Sequence, residues 1–438
     1  MAKQWRPLVS AVGILVLLVL LAGCAPGATP TATPTTAPAA APTKAAEPAK
    51  PAEPTKPPAA PTPTAAPKVQ EPYKIGFVDS FSGYMAAMGG QQRDAVLMLE
   101  EKVNKEGGIN GRPLKIIAYD DESDETKGVL AVKKLINEDK VLGLIGTAAS
   151  GIAMAEAPVV EEAQVPWVTM NSSYSVLLNP TKKWLFKTAA SEKFLVGGIY
   201  RYLKSKGITN FAWISQGAGF GREARKYMQD TFAKEGFTVV ANEEYGPTDT
   251  DMKPQLTKIK AANPQALVVY GAEPAGAIAI RQARELGITV PVLGPPSMTM
   301  GAIMNVKELR DGMEGAVFVA FKPDVWEQLP ASDPQRKVNE DFNNAMKAKY
   351  GDKFKALEWP MGVGYDAFTV MMNAIKKANP DTSKLEDARA KIRDALETTK
   401  GYVGAFSMLE MSPTEHEGLS WDSVVIGEIK GGKYQLVK

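Results

Sequence analysis

Lys74-Ile75-Gly76-Phe77-Val78 reads as a short apolar strand. The segment 93–104 that follows carries Ala95, Val96, Leu99 and Val103 at helical spacing, and Leu114-Lys115-Ile116-Ile117-Ala118-Tyr119 is a second strand. Strand, amphipathic helix and strand in that order predict parallel strands joined by a covering helix. Working outward, the rhythm continues with a helix over 127–137, a strand over 141–145, a short helix over 158–163 and a strand over 165–170. It restarts with a helix over 194–204 and a strand over 210–215. Helices over 221–235, 252–261 and 275–286 then alternate with strands over 238–245, 266–270 and 290–293. The fold class is therefore α/β, in two lobes, each built on a doubly wound parallel sheet. Helices over 338–350, 364–378 and 385–398 come after the second lobe and return to one of the two.

Ahead of this body lie two segments of other composition. Lys3 and Arg6 precede an apolar run over 8–22 that ends in Leu21-Ala22-Gly23-Cys24. The run has the length of a signal-peptide core and is short for a membrane span. With the chain's one cysteine at the cleavage position, residues 1–24 resemble a bacterial lipoprotein signal, which implies acylation of Cys24 and a lipid-anchored, extracytoplasmic chain. Residues 25–72 hold 14 of the 32 prolines and consist almost wholly of Ala, Pro, Thr, Lys and Glu. That composition buries too little apolar surface to fold and favours polyproline II, a disordered tether with a reach on the order of 100 Å.

The bulk numbers exclude several classes. Of the 438 residues, 45% are hydrophobic and 23% charged, ordinary for a globular chain of two domains. A formal net charge of +2 gives no electrostatic case for nucleic acid. One cysteine permits no internal disulfide, and with His416 as the one histidine a zinc or copper site has no ligand set. No cofactor is expected. Gly217-Ala218-Gly219-Phe220-Gly221 follows a strand, but G-x-G-x-G matches neither the dinucleotide nor the P-loop spacing. The acidic run 120–125 lacks the glycine and spacing of an EF-hand and reads as a solvated loop. No serine combines a G-x-S-x-G elbow with a suitable histidine, so a hydrolase triad is not supported. His416, in a polar stretch near Pro413, reads as a surface residue.

In open parallel sheets, ligands bind beyond the carboxyl ends of the strands. Four strand-end loops stand out: Ser80-Phe81-Ser82-Gly83-Tyr84, Thr147-Ala148-Ala149-Ser150-Gly151, Asn171-Ser172-Ser173-Tyr174 and Tyr270-Gly271-Ala272-Glu273-Pro274. Ser150 stands near a helix start, either as a plain N-cap or as part of an anion site. Asn171-Ser172-Ser173 is either an ordinary polar turn or a loop from which the Ser173 hydroxyl, with that of Ser150, adds a donor to a carboxylate. Glu273 is either a solvated first-turn acid or the partner of a ligand ammonium. Phe81, Tyr84, Phe220 and Trp359 can wall an apolar group, and Met85 and Met88 suit an adaptable pocket or plain core.

Several further motifs carry a resemblance: Gly107-Gly108-Ile109-Asn110-Gly111-Arg112-Pro113-Leu114, then Tyr119-Asp120-Asp121, then Arg281-Gln282-Ala283-Arg284-Glu285-Leu286-Gly287 and Gly364-Tyr365-Asp366-Ala367. Together with the loops above, residues 73–438 resemble the leucine/isoleucine/valine-binding family of ABC-transporter solute-binding proteins, of the type I periplasmic-binding fold. The resemblance implies two lobes joined by three crossings, near Ala190, Ala320 and Ala405. Lobe 1 would take 73–190 and 320–405; lobe 2 would take 191–319 and 406–438. It also implies ligand-binding roles for Ser150, Asn171, Ser173, Phe220 and Glu273. Phe220 falls where the family often has an aromatic residue. Pro296 stands where branched-chain amino-acid binders often carry an acid facing the ligand ammonium. Either Glu273 takes that task or the ligand has no ammonium group.

The expected function is then a lipoprotein, monomeric and not an enzyme, that captures a small amino acid or related carboxylate or amide by hinge closure and delivers it to an ABC permease. A sensing module of the same fold for a membrane signalling partner is the alternative, as is a binder of an aromatic carboxylate. An exported α/β enzyme is a third reading, disfavoured by the missing nucleophile–base pair.

Overall fold

The computed structural model describes residues 71–178 and 182–437. The expected signal peptide, the lipidation site Cys24 and the tether up to residue 70 lie outside the described residues. The described residues form one compact unit.

Five strands form the first sheet: β1 (Tyr73–Asp79), β2 (Leu114–Asp120), β3 (Gly143–Gly146), β4 (Trp167–Thr169) and β5 (Leu185–Lys187), in the order β2-β1-β3-β4-β5. All neighbours are parallel; β1 pairs with β2 from Tyr73↔Leu114 to Asp79↔Asp120, and with β3 from Ile75↔Gly143. The second sheet holds β6 (Asn210–Gln216), β7 (Thr238–Tyr245), β8 (Leu267–Tyr270), β9 (Val292–Gly294) and β10 (Val317–Phe321) in the equivalent order, β7-β6-β8-β9-β10. Both sheets are thus doubly wound, as the strand–helix rhythm implies, with switch points between β1 and β3 and between β6 and β8. A two-stranded ribbon, β11 (Tyr402–Val403) with β12 (Met408–Leu409), precedes β13 (Val424–Lys430) and β14 (Lys433–Leu436). β13 runs antiparallel to β10 and extends the second sheet, with β14 at its edge, so that sheet is mixed rather than wholly parallel.

The chain leaves the first sheet after β5 and enters the second lobe through the helix Glu192–Ser205. After β10 it turns back. The helix Trp359–Ala378 packs along Ala86–Lys105 and against β3 and β4, and Leu385–Leu396 packs on Trp359–Ala378. The late helices therefore cover the first lobe. The chain then passes to β13 and finishes in the second lobe.

Two of these passages are bound to each other. The Lys187 N–H donates to the His416 carbonyl at 3.0 Å, and His416 Nδ1 lies 2.8 Å from the Leu185 carbonyl. The Ser191 N–H and Oγ donate to the two Glu417 oxygens at 2.8 and 3.0 Å. His416 is buried and stacked on Phe186 with ring centres 4.1 Å apart. The expectation of a surface histidine is thereby overturned. Its polar neighbours belong to a segment that crosses between lobes, so local polarity did not report local exposure.

Candidate functional site

The loops at both switch points face one cavity with about 670 Å³ of empty space, its mouth included. From the first lobe come Ala148, Ala149 and Ser150 after β3, with Tyr84, Met85 and Met88 beyond β1. From the second come Gln216 at the end of β6, Ala218 to Phe220 after it, and Ala272 after β8. Phe321, Trp359 and Phe406 close the apolar wall. Among the described residues the lining holds no Asp, Glu, Lys, Arg or His.

Three helices begin at this cavity: Ser150–Glu162, Gly219–Thr231 and Glu273–Glu285. Their N-cap residues are Ala149, Ala218 and Ala272, all lining residues, and none makes a side-chain capping bond. Alanine has no oxygen to occupy the first-turn N–H groups. The positive ends of the helix dipoles thus converge on a largely apolar space, an arrangement suited to an anion.

Two side-chain donors add to this. Ser150 is the first residue of its helix, and its buried Oγ has no hydrogen-bond partner among the described residues. The N-cap alternative for Ser150 does not hold, since the cap is Ala149. Trp359 is a lining residue whose buried Nε1 is also without a partner among the described residues. Two other polar lining groups are committed. Gln216 Oε1 accepts from the Ala272 N–H at 3.1 Å, and Ser297 Oγ donates to the Gly271 carbonyl at 2.6 Å.

The structure brings Ser150, Phe220 and Tyr84 together in the lining. The Phe220 ring lies 4.8 Å from that of Tyr270. Asn171 and Ser173 are fully buried beside the cavity, while Ser172 between them lines it. Asn171 Oδ1 accepts from the Ser173 N–H at 2.9 Å, and Ser173 Oγ donates to Glu223 at 3.4 Å. Phe81 is not a lining residue. It packs edge-on against Phe77 at 5.2 Å with the Arg93 guanidinium 5.3 Å from its ring centre. Glu273 begins its helix next to the lining residue Ala272, and its side chain lies outside the described part of the structure. Pro296 does line the cavity.

Sequence reasoning missed Gln216, Phe321 and Phe406. Gln216 and Phe321 end strands, a position that could have singled them out. Phe406 has no local signal.

Beneath the Asn171 turn the ammonium of Lys187 donates to the Asn171 carbonyl. Glu192 accepts from the Tyr174 N–H at 2.8 Å. Burial lowers the Lys187 pKa and raises that of Glu192, and the attraction between the two opposes both shifts. In the floor below the first switch point, Asp79 accepts from the Ala148 and Ser80 N–H groups at 3.0 and 2.9 Å. Complete burial, with Asp121 near, raises Asp79 to about 7.

Comparison with known proteins places this geometry. The model of the periplasmic binding protein family matches residues 72–433. The leucine-, isoleucine-, valine-, threonine- and alanine-binding protein of Pseudomonas aeruginosa is 29% identical over 338 residues, covering 76% of this chain and 85% of the relative. The crystal structure of an extracellular ligand-binding receptor from Rhodopseudomonas palustris superposes with a TM-score of 0.76 at 27% identity, over 84% of this chain and all of that one. A substrate-binding protein of a branched-chain amino acid transporter from Streptococcus pneumoniae, in complex with isoleucine, shares the fold at a TM-score of 0.70 and 21% identity, covering 84% of this chain and 100% of that one.

Proposed function

From the premise that this chain belongs to the periplasmic binding protein family, we propose that it is the solute receptor of an ABC importer for a small carboxylate with an apolar body, of the amino-acid class or close to it. The observation that carries the reading is the meeting of three uncapped helix N-termini and the unpartnered Ser150 Oγ in one apolar cavity. The carboxylate takes the N–H groups and Ser150, with Ser172 beside it and the Asn171–Ser173 turn shaping that wall. The apolar body lies against Phe220, Trp359 and the methionines. Lobe 1 (73–190 with 320–405) and lobe 2 (191–319 with 406–438) swing about crossings near Ala190, Ala320 and Ala405, and closure completes the polar contacts. Nothing in this cycle needs catalysis. Cys24 carries the lipid that holds the monomer at the outer face of a membrane, beside its permease.

A second reading concerns the solute's charge. The lining offers no carboxylate among the described residues, and Pro296 cannot serve as one. This favours a carboxylate without an ammonium group, an aromatic one included, unless Glu273 reaches the ligand. Calorimetry with L-leucine, with 4-methyl-2-oxopentanoate and with benzoate separates the readings. Preference for the 2-oxo acid or for benzoate supports the second, and preference for L-leucine the first. If native mass spectrometry of the freshly purified protein finds a bound solute with no carboxylate, the whole proposal falls.

A further inference from the structure

Outside the cavity, and apart from Glu192 beside the first crossing, Glu223 and Glu358 reach from one lobe to the other. Glu223, on the second-lobe helix Gly219–Thr231, accepts from the hydroxyls of Ser175 and Ser173, which follow β4 in the first lobe. Glu358, at the N-cap of Trp359–Ala378 in the first lobe, accepts from Gln91 Nε2 at 2.9 Å within its own lobe. It also accepts from the Gly301 N–H of the second lobe at 3.1 Å. Neither carboxylate lines the cavity, yet each adjoins residues that do. Phe220 lies one turn before Glu223, Ser172 precedes Ser173, and Trp359 follows Glu358.

We propose that Glu223 and Glu358 are closure latches, positioning residues that set how long the lobes stay shut without touching the solute. This rests on the reading of the chain as a receptor that works by hinge closure. Hydrogen bonds to a carboxylate are among the stronger ones available at a protein surface. These bonds join groups on different lobes, so they exist in the closed form and are broken in the open one. A latch of this kind lowers the opening rate. It leaves the encounter with the solute, which takes place in the open form, unchanged. The adjoining lining residues couple the two events: a solute that seats Phe220 and Trp359 also sets Glu223 and Glu358 in reach of their partners.

Gly301 supplies a variant that breaks one latch from the opposite side. A β-carbon there would lie 2.6 Å from Glu358 Oε1, with Asn305 Nδ2 next at 3.5 Å. Gly301→Ala therefore displaces the tip of the Glu358 side chain and leaves its charge in place.

The test uses single-molecule energy transfer on the full chain. It carries Cys24→Ser, with labels on cysteines replacing the exposed Leu130 in the first lobe and the exposed Lys234 in the second. Closed-state dwell times are recorded without solute and with L-leucine, 4-methyl-2-oxopentanoate or benzoate as probes. Glu223→Ala, Glu358→Ala and Gly301→Ala are each expected to shorten the dwell about three- to tenfold. Glu223→Gln should restore part of the loss, and the melting temperature should stay within about 2 °C. Dwell times that respond to a probe but not to these variants overturn the latches and keep the receptor reading. Dwell times that respond to the variants but to no probe keep the latches and count against that reading. A chain that never exchanges between open and closed forms overturns both.

Discussion

Gly219 and Gly151 meet backbone to backbone across the cleft: a β-carbon on Gly219 would stand 2.7 Å from the Gly151 nitrogen and 3.0 Å from its Cα. Backbone cannot move aside as the tip of a side chain can, so Gly219→Ala holds the two helix starts apart. Calorimetry should show solute affinity falling by about tenfold or more, equivalent to roughly 1.4 kcal/mol. The unliganded chain should melt no lower, because replacing a glycine of ordinary helical backbone by alanine narrows the unfolded ensemble, worth about 0.4–1 kcal/mol. Unaltered affinity would mean that full closure does not need this contact.

Ser150→Ala separates binding from folding in the same way. The hydroxyl is buried and has no partner among the described residues, so its removal costs the fold little. A solute carboxylate that accepts from it loses a charge-assisted bond of about 1.5–3 kcal/mol, a drop of roughly 10- to 150-fold in affinity. Thermal shift on the unliganded variant together with calorimetry reads both quantities. A variant that binds as tightly as the parent removes Ser150 from the site.

Asp79 ties the Ala148 loop to β1 through a carboxyl group raised from 3.8 to about 7 by burial. The folded chain keeps this proton at pH values where the unfolded chain has released it. Its contribution is therefore complete below about pH 4 and declines as pH rises through 7, at up to about 1.36 kcal/mol per unit. Asp121 and Glu156, buried nearby, are shifted upward as well and act in the same direction. The melting temperature should rise on going from pH 7.5 to pH 5. Asp79→Asn keeps the Oδ1 acceptor for Ala148 and Ser80 without the charge, so it should flatten that slope. A slope that is as steep in the variant assigns the pH dependence to other groups.

Asp366 gathers the Ala405, Phe406 and Ser407 N–H groups, with the hydroxyls of Ser407 and Tyr402, at 2.6–3.2 Å. Asp366→Ala leaves three buried amides without an acceptor. At about 1–3 kcal/mol for each such group, the loss should be at least about 3 kcal/mol in urea unfolding. Phe406, a cavity wall residue, would lose its anchor, so affinity should fall too. A variant of parental stability would show that water or another group takes over.

The sheet rhythm was legible in the sequence because parallel strands covered on both faces read as unbroken apolar runs, as in Leu267–Tyr270. Pattern reading failed where that signal was weak or of another kind. β5 is three residues long and ends in Lys187, whose charge is buried rather than solvated. The helix Ser150–Glu162 begins eight residues before the expected 158, because its alanine-rich first half is covered on most sides and shows no polar face. The closing hairpin Val424–Leu436 has mostly half-buried or exposed strand positions, so its apolar pattern is too weak to read as sheet. Among the cavity-lining residues, Ser150, Phe220 and Tyr84 are legible because strand-end loops are few. Phe406 stands in the ribbon between the late helices and the closing hairpin, and nothing in its neighbours announces a destination so far from them in sequence. The Asn171–Ser173 segment is legible as a polar strand-end turn, but it is Ser172 that lines the cavity, since Asn171 Oδ1 accepts from the Ser173 N–H and the Ser173 hydroxyl donates to Glu223.

The pairing of Lys187 with His416, and of Ser191 with Glu417, bears on how such a body can move. Two strips of chain fastened side by side cannot twist independently. In the proposed closure this fastening opposes sideways slips and torsions between the halves. On that reading a guest meets the same walls at each closure, so the strap would contribute to selectivity between similar molecules alongside the pocket.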